Sequence, residues 1–153
     1  MLLFLMLMTG FAGFVDSAAG GGGLIAGIAT AAKTIKPSIE VVGVQTQRFP
    51  SMVNALRHTD LPMGTSTIAE GIAVTQPGVI TQEVVQRCVD DLLLVDEGDI
   101  EQAVLMLLEI EKTLVEGAGA AGLFCAAQAG QRGLRVLLID HAERVAEKIR
   151  ISG

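Results

Sequence analysis

The sequence predicts an α/β fold with a mostly parallel sheet and flanking helices. Three observations predict it: a glycine-rich loop runs into the helical pattern of Leu24–Lys36, an apolar β-branched run follows at Ile39–Gln45, and a second apolar run, Asp91–Val95, precedes another helical pattern. Alternation of helices and strands is typical of a parallel sheet covered by helices. With 153 residues, the chain has room for one such core, since single domains span about 100–200 residues.

Residues 1–14 are almost wholly apolar, and the first charged residue is Asp16. A secretory signal would carry basic residues ahead of its apolar stretch, and none is present. A membrane-spanning helix needs about 20 apolar residues, a length that is reached only if the small residues through Gly23 are included. Residues 1–18 are therefore interpreted as an apolar N-terminal segment that is a strand, a core or interfacial helix, or, through residues 1–15, a membrane contact.

Pro37 ends the first helical pattern, because proline cannot continue a helix. The next elements in order are a helix over Pro50–Leu56, a polar loop over residues 57–66, a helix over Thr81–Cys88, the strand Asp91–Val95, a long helix from Asp99, a small-residue helix to Arg132, the strand Arg135–Asp140 and a charged end over residues 141–150. Thr81 and Asp99 are the predicted N-caps. Residues 111–116 suit a helix or a strand, and the charge of Glu116 favours a helix, since buried parallel strands are apolar.

Composition excludes several classes of function. Aromatic residues make up 3% of the chain, Trp and Tyr are absent, and the net charge is −6, so the stacking side chains and basic surface of a nucleic-acid binder are missing. Cys88 and Cys125 lie far apart among apolar or small residues, which is typical of reduced core thiols and of a cytoplasmic protein. His58 and His141 stand without a paired Ser, Asp or Cys, which is typical of surface histidines and not of a catalytic base. The acidic residues between 90 and 99 lack calcium-loop spacing, so helix capping and solvation are favoured over a metal site.

Four consecutive glycines, Gly20, Gly21, Gly22 and Gly23, lead into the first predicted helix. Glycine lets backbone N–H groups approach an anion, and the helix dipole favours negative charge at the start of a helix. The loop is therefore a candidate site for a small-molecule phosphate ligand. A flexible turn or tight helix packing explains the same glycines equally well.

Longer stretches of the chain resemble a known family. The words GGGGLIAGIATAAKTIKP, IEVVGVQTQRFPSMVNAL, DLPMGTSTIAEGIAV and VDDLLLVDEGDIEQAVLMLLEIEKTLVEGAGAAGL are similar to the threonine dehydratases, fold-type II pyridoxal-phosphate enzymes, over about residues 19–122. The resemblance implies that the glycine loop binds the cofactor phosphate and that Glu70 and Gly71 lie near the cofactor ring. It also implies an enzyme that eliminates water from threonine or serine.

The chain departs from this family at the residues that perform the chemistry. The resemblance implies a lysine that bonds to the cofactor as a Schiff base, in a motif of Ser, aromatic, Lys, any residue, Arg, Gly. The chain has four lysines, none of them in that context: Lys33, Lys36, Lys112 and Lys148. Asn54, the only asparagine, lacks the family's substrate-binding context, and Gln45 and Ser51 stand where related racemases have acidic metal ligands. No catalytic residue and no metal ligand is therefore expected.

A second glycine motif lies near the C-terminal end. Gly117, Gly119 and Gly122 match G-x-G-x-x-G, and Asp140 ends the strand predicted after them. In dinucleotide sites such glycines let the backbone approach the pyrophosphate, and the acidic residue accepts a hydrogen bond from a ribose hydroxyl. Residues 117–153 also resemble the start of an FAD-dependent flavoprotein oxidoreductase, which implies a βαβ segment that binds FAD or NAD.

The stretch FAGFVDSAAGGGGLI resembles a membrane permease family associated with sulfite or taurine export, so three resemblances meet at two glycine-rich words. Three hypotheses follow. The chain is a threonine dehydratase-like domain that binds a phosphate without turnover, a module that binds FAD or NAD, or a designed or artefactual chimera without selected activity. Apolar surface left by missing elements would favour association into a homo-oligomer.

Overall fold

The computed structural model describes residues 3–7, 21–111, 117–133 and 135–139 of the chain. Its elements in chain order are β1 (Leu3–Leu7), α1 (Gly23–Ile35), β2 (Glu40–Thr46), α2 (Ser51–Arg57), a 3-10 turn (Glu70–Ile72), α3 (Val79–Cys88), β3 (Asp91–Val95), α4 (Glu97–Glu111), α5 (Gly117–Gln131) and β4 (Arg135–Ile139). The helices and strands predicted within these residues are present, and most of their ends shift by at most two positions. The exception is α5, which already includes the glycine motif of residues 117–122 that was predicted to precede the helix.

The four described strands form one sheet in the order β3-β2-β1-β4, and every pairing is parallel. This confirms the predicted α/β fold with a mostly parallel sheet. The apolar N-terminus supplies β1, where Leu5 lies opposite Val41 of β2 and Leu137 of β4. A strand with parallel neighbours on both edges is typically apolar throughout, which accounts for its sequence. Within the described ranges, no helix has the length and apolar character needed to cross a bilayer.

Small residues let the helices approach the sheet and one another. α1 packs against α3, and α4 packs against α5. On α1, Ala29 is fully buried in one cluster with Val41 of β2, and Ala26 is buried in a second cluster. Ile100 of α4 and Ala121 of α5 share a third. Alanine carries little side-chain volume, so each of these helices can lie close to its neighbour.

The predicted N-caps Thr81 and Asp99 are wrong, because both helices start earlier. α3 begins at Val79, which places Thr81 in its first turn. α4 begins at Glu97, and Oδ1 of Asp96 accepts a 2.8 Å hydrogen bond from the backbone N–H of Asp99. Threonine and aspartate are stabilising at several positions in a first turn as well as at the N-cap, so residue type alone does not place the start of a helix.

Lys33 and Asp90 close the edge of the sheet at which β2 and β3 begin. Nζ of Lys33 lies 2.6 Å from Oδ2 of Asp90 and donates to the carbonyl of Ile39 at 2.6 Å. Asp90 also accepts a 2.7 Å hydrogen bond from the backbone N–H of Val41. Burial acts to raise the pKa of Asp90, but the hydrogen bonds from Lys33 and Val41 outweigh it and lower the pKa. The end of α1 is thus fixed at this edge, and its start lies toward the opposite one.

Replacing Asp90 by asparagine is expected to lower the free energy of unfolding near pH 7 by about 1 kcal/mol, since Lys33 loses its charged partner in a solvent-screened position. The folded chain lowers the pKa of Asp90 from 3.8, so the loss is complete above that pH and fades below it. Denaturant titrations near pH 7 and near pH 3 measure the loss of stability and its decrease in acid. Asp91→Asn, which removes a more exposed ion pair with Arg57, is the control with a smaller expected loss. Equal losses would contradict the role of Asp90.

Candidate functional site

A cavity of about 90 Å³ lies where the glycine loop and the start of α1 meet β2. Its wall includes Gly21 and Gly22 of the loop, Gly43 of β2 and two polar residues, Gln45 and Ser51. Most other lining residues are apolar. A space of this size holds several water molecules or part of a small ligand, and an apolar pocket with a few polar groups is the usual form of a cofactor site.

The described part of the loop needs glycine for its conformation. The angle φ is 74° at Gly21 and 91° at Gly22, a left-handed region that costs other residues about 1–2 kcal/mol. A Cβ at Gly22 would also lie only 2.7 Å from Cε of Met52. Gly23 is the first residue of α1, and Gly20 lies outside the described residues. The loop therefore brings the start of a 13-residue helix, with its dipole, to the cavity.

Gln45 and Ser51 form a polar corner of this cavity. Nε2 of Gln45 donates to Oγ of Ser51 at 3.3 Å, and Oε1 of Gln45 accepts from the backbone N–H of Val53 at 3.2 Å. Neither side chain is charged. Among the residues that the structure describes, no group of three or more His, Cys, Asp or Glu side chains is placed to hold a metal ion. The corner offers hydrogen bonds to a ligand and no carboxylate for a cation.

The described lysines lie far from the glycine loop. Lys33 sits in the last turn of α1, and Lys36 is the C-cap of that helix. A rise of about 1.5 Å per residue puts Lys33 about 15 Å along the helix axis from Gly23. Neither of these two lysines lines the cavity. Lys112 and Lys148 lie outside the described residues.

The stretch with Glu70 and Gly71 lies beside the cavity. Both residues belong to the 3-10 turn, and its last residue, Ile72, is part of the cavity wall. Glu70 itself is exposed, and neither Glu70 nor Gly71 lines the cavity. Val74 extends this contact, since a Cβ at Gly21 would lie 2.5 Å from its Cγ1. The turn and the glycine loop are therefore neighbours, with apolar side chains between them.

Gly117, the first glycine of the second motif, brings the start of α5 close to the backbone of Ile68 and Ala69. The motif's three glycines are buried and do not line the cavity: Gly117, Gly119 and Gly122. A Cβ at Gly117 would overlap the carbonyl oxygen of Ile68 and lie 2.9 Å from the backbone nitrogen of Ala69. A side chain at Gly117 would therefore collide with this backbone, while the dinucleotide site predicted at the motif stays a prediction. α4 reaches Glu111 as a helix, while residues 112–116 and Asp140 lie outside the described residues.

Glu97 joins three segments of the chain, although no sequence pattern singles it out. Its carboxylate accepts hydrogen bonds from Oγ1 of Thr46 at 2.9 Å, from Oγ1 of Thr67 at 2.5 Å and from the backbone N–H of Ile68 at 2.8 Å. Burial acts to raise the pKa of Glu97, but the hydrogen bonds from Thr67, Ile68 and Thr46 outweigh it and lower the pKa. The ionised carboxylate therefore ties the start of α4 to the end of β2 and to the segment that contacts α5.

Curated proteins similar to this chain include threonine-degrading enzymes. The L-threonine ammonia-lyase of Thermotoga maritima is 46% identical over 106 residues, which cover 68% of this chain and 26% of that protein. The catabolic L-threonine dehydratase TdcB of Escherichia coli K12 is 44% identical over 110 residues, 71% of this chain and 33% of that protein. The resemblance to threonine dehydratases is thereby confirmed, and the chain spans about a quarter to a third of these relatives. The permease and flavoprotein resemblances and the chimera hypothesis stay predictions.

Solved structures show the same likeness. A threonine deaminase from T.th. has a TM-score of 0.67 at 27% identity, covering 89% of this chain and 47% of that one. Maize serine racemase has a TM-score of 0.67 at 28% identity, and the match covers 90% of this chain and 41% of the racemase chain. The family model described as "Pyridoxal-phosphate dependent enzyme" matches residues 12–139. Since that match spans most of its length, the chain belongs to the pyridoxal-phosphate dependent enzyme family.

Proposed function

We propose that the chain is a threonine dehydratase-like domain that binds the phosphate of pyridoxal phosphate at its glycine loop and does not catalyse elimination by itself. The observation that carries this proposal is the separation between the glycine loop and Lys33. Gly21 and Gly22 line the cavity, whereas Lys33 is ion-paired with Asp90 at the edge of the sheet where β2 and β3 begin. The phosphate end of the cofactor fits the loop, and no amine of the described residues lies beside it to bond the aldehyde.

Pyridoxal phosphate, when bound, supplies an electron sink for reactions at the α-carbon of an amino acid. The residues of this chain contribute binding and orientation. The start of α1 favours the phosphate charge through its dipole and its backbone N–H groups. Gln45 and Ser51 offer hydrogen bonds to polar atoms of the ligand, while Ile25 and Ile72 line the cavity with apolar surface that excludes water.

Turnover needs a further group. Elimination of water from threonine or serine, the hydroxyamino acids that the names of the relatives favour, requires a base at the α-carbon. Lys33 does not meet this requirement, because its Nζ is held by Asp90 and by the carbonyl of Ile39. Asn54 does not replace the substrate-binding asparagine either, since its side chain bonds Thr59 and Leu61. We therefore propose binding without catalysis.

Replacing Gly22 by alanine is expected to weaken binding of pyridoxal phosphate about tenfold, because the left-handed conformation costs alanine about 1–2 kcal/mol. Calorimetric titration of the purified chain with pyridoxal phosphate measures the affinity. Gly27→Ala, in the helix α1 that follows Gly22, is the control, since a Cβ at Gly27 meets nothing within 4 Å, and its affinity should equal that of the original chain.

Borohydride reduction of the saturated complex tests the absence of a covalent anchor. Peptide mass spectrometry should find no lysine modified in stoichiometric amount at cofactor concentrations that just saturate the site. Stoichiometric modification of any one lysine would overturn the proposed lack of an anchor, and equal affinities of the Gly22 and Gly27 variants would overturn the proposed phosphate site.

A further inference from the structure

One side chain joins the glycine loop to the start of α3. Oγ1 of Thr81 donates to the backbone carbonyl of Gly21 at 2.7 Å, across 60 positions of sequence. The same hydroxyl lies 2.8 Å from the carbonyl of Gly78, a local contact within the first turn of α3. The backbone N–H of Gly78 also donates to the Gly21 carbonyl, at 3.5 Å. The carbonyl of Gly21 is therefore held toward α3 by two donors.

The direction of this carbonyl sets the direction of the amide that follows it. A trans peptide unit is planar, and its C=O and N–H point in opposite directions. A Gly21 carbonyl that points toward α3 therefore turns the N–H of Gly22 away from α3. Both residues have positive φ, and glycine occupies many backbone conformations at similar energy. A peptide unit between two glycines thus needs an outside bond to keep one orientation.

We propose that Thr81 is a positioning residue of the phosphate loop, whose hydroxyl holds the Gly21–Gly22 peptide unit in the orientation that receives an anion. This inference rests on the phosphate-binding function proposed above. Thr81 does not line the cavity, so it acts through the loop and does not touch the ligand. A merely structural role would use only the local bond to Gly78, which a serine or threonine forms in many first turns.

Two substitutions separate the hydroxyl from the shape of the side chain. Thr81→Val keeps the shape and removes the hydroxyl, whereas Thr81→Ser keeps the hydroxyl. We expect Thr81→Val to weaken binding of inorganic phosphate and of pyridoxal phosphate about tenfold, the scale of one lost hydrogen bond. Thr81→Ser should bind as the original chain does. Thr30→Val, which removes a 2.8 Å bond from Thr30 to the carbonyl of Ala26 within α1, is the matched control and should leave both affinities unchanged.

Unchanged affinity in Thr81→Val overturns the proposal, and so does an equal loss in Thr81→Ser. Melting curves accompany each titration, and a loss of affinity that appears only as a loss of folded protein also counts against it. Should Thr81→Val fail to fold, Thr81→Ala is measured in the same way.

Hydrogen exchange gives a second readout that needs no ligand. The amide of Gly22 is expected to exchange about tenfold faster in Thr81→Val than in the original chain, while Thr81→Ser exchanges at the original rate. If the original chain binds no phosphate, the proposed function fails and the exchange rates alone decide the role of Thr81. An unchanged rate at Gly22 in Thr81→Val then overturns the inference.

Discussion

Replacing Gly117 by alanine is expected to lower the free energy of unfolding by about 2–3 kcal/mol, the scale of overpacking in a close contact. The new Cβ would overlap the carbonyl oxygen of Ile68, lie 2.7 Å from its carbonyl carbon and lie 2.9 Å from the nitrogen of Ala69. These are backbone atoms, and Ala69 is fully buried, so they cannot turn aside as the end of a flexible side chain would. α5 would have to move away from this segment.

The control for this change is available in the same helix. A Cβ at Gly130 meets nothing within 4 Å, so Gly130→Ala is expected to raise the free energy of unfolding by about 0.5–1 kcal/mol, because alanine has the higher helix propensity. Denaturant unfolding should show a lower free energy of unfolding for Gly117→Ala and a higher one for Gly130→Ala. A Gly117→Ala chain as stable as the original would contradict the packing role of Gly117.

The two glycine motifs have similar sequences but different neighbours in the structure. Both were predicted to approach a phosphate group, because glycine permits any close neighbour. At Gly21 and Gly22 the neighbour is a cavity wall beside a helix start, and at Gly117 it is the backbone of Ile68. The difference comes from segments that are distant in sequence, so spacing alone does not distinguish glycines that line a cavity from a glycine at a helix contact.

Elements with a local signal were predicted well. The strand Asp91–Val95 was predicted at its observed ends, and β2 lies one residue later than predicted, since apolar runs between turn residues mark buried strands. Interactions between distant segments left no such signal. Glu97 lies 51 positions from Thr46 and 30 from Thr67, and a glutamate in the first turn of a helix is ordinarily explained by the helix dipole.

Replacing Glu97 by alanine is expected to lower the free energy of unfolding near neutral pH by about 3 kcal/mol. Three donors lose their acceptor, and each of the two buried ones, the hydroxyls of Thr46 and Thr67, costs about 1–3 kcal/mol when unsatisfied. The costs add incompletely, because a threonine hydroxyl can turn to another acceptor. Thr46 is 0% exposed, so water does not readily replace the carboxylate there. Glu101→Ala, at an exposed position of the same helix, is the control, with an expected change within about 0.5 kcal/mol.

Glu97→Gln then separates the charge from the shape. Near neutral pH we expect a loss of about 1–2 kcal/mol, since glutamine keeps one acceptor but turns a donor toward the N–H of Ile68. The folded chain lowers the pKa of Glu97 from 4.5, so the carboxylate stabilises the fold fully above that pH and less as the pH falls through the lower folded pKa. Denaturant titrations between about pH 7 and about pH 3 should therefore show the two chains converging in acid. A constant difference would mean that the charge of Glu97 contributes nothing, and that the amide donor facing the N–H of Ile68 alone causes the loss.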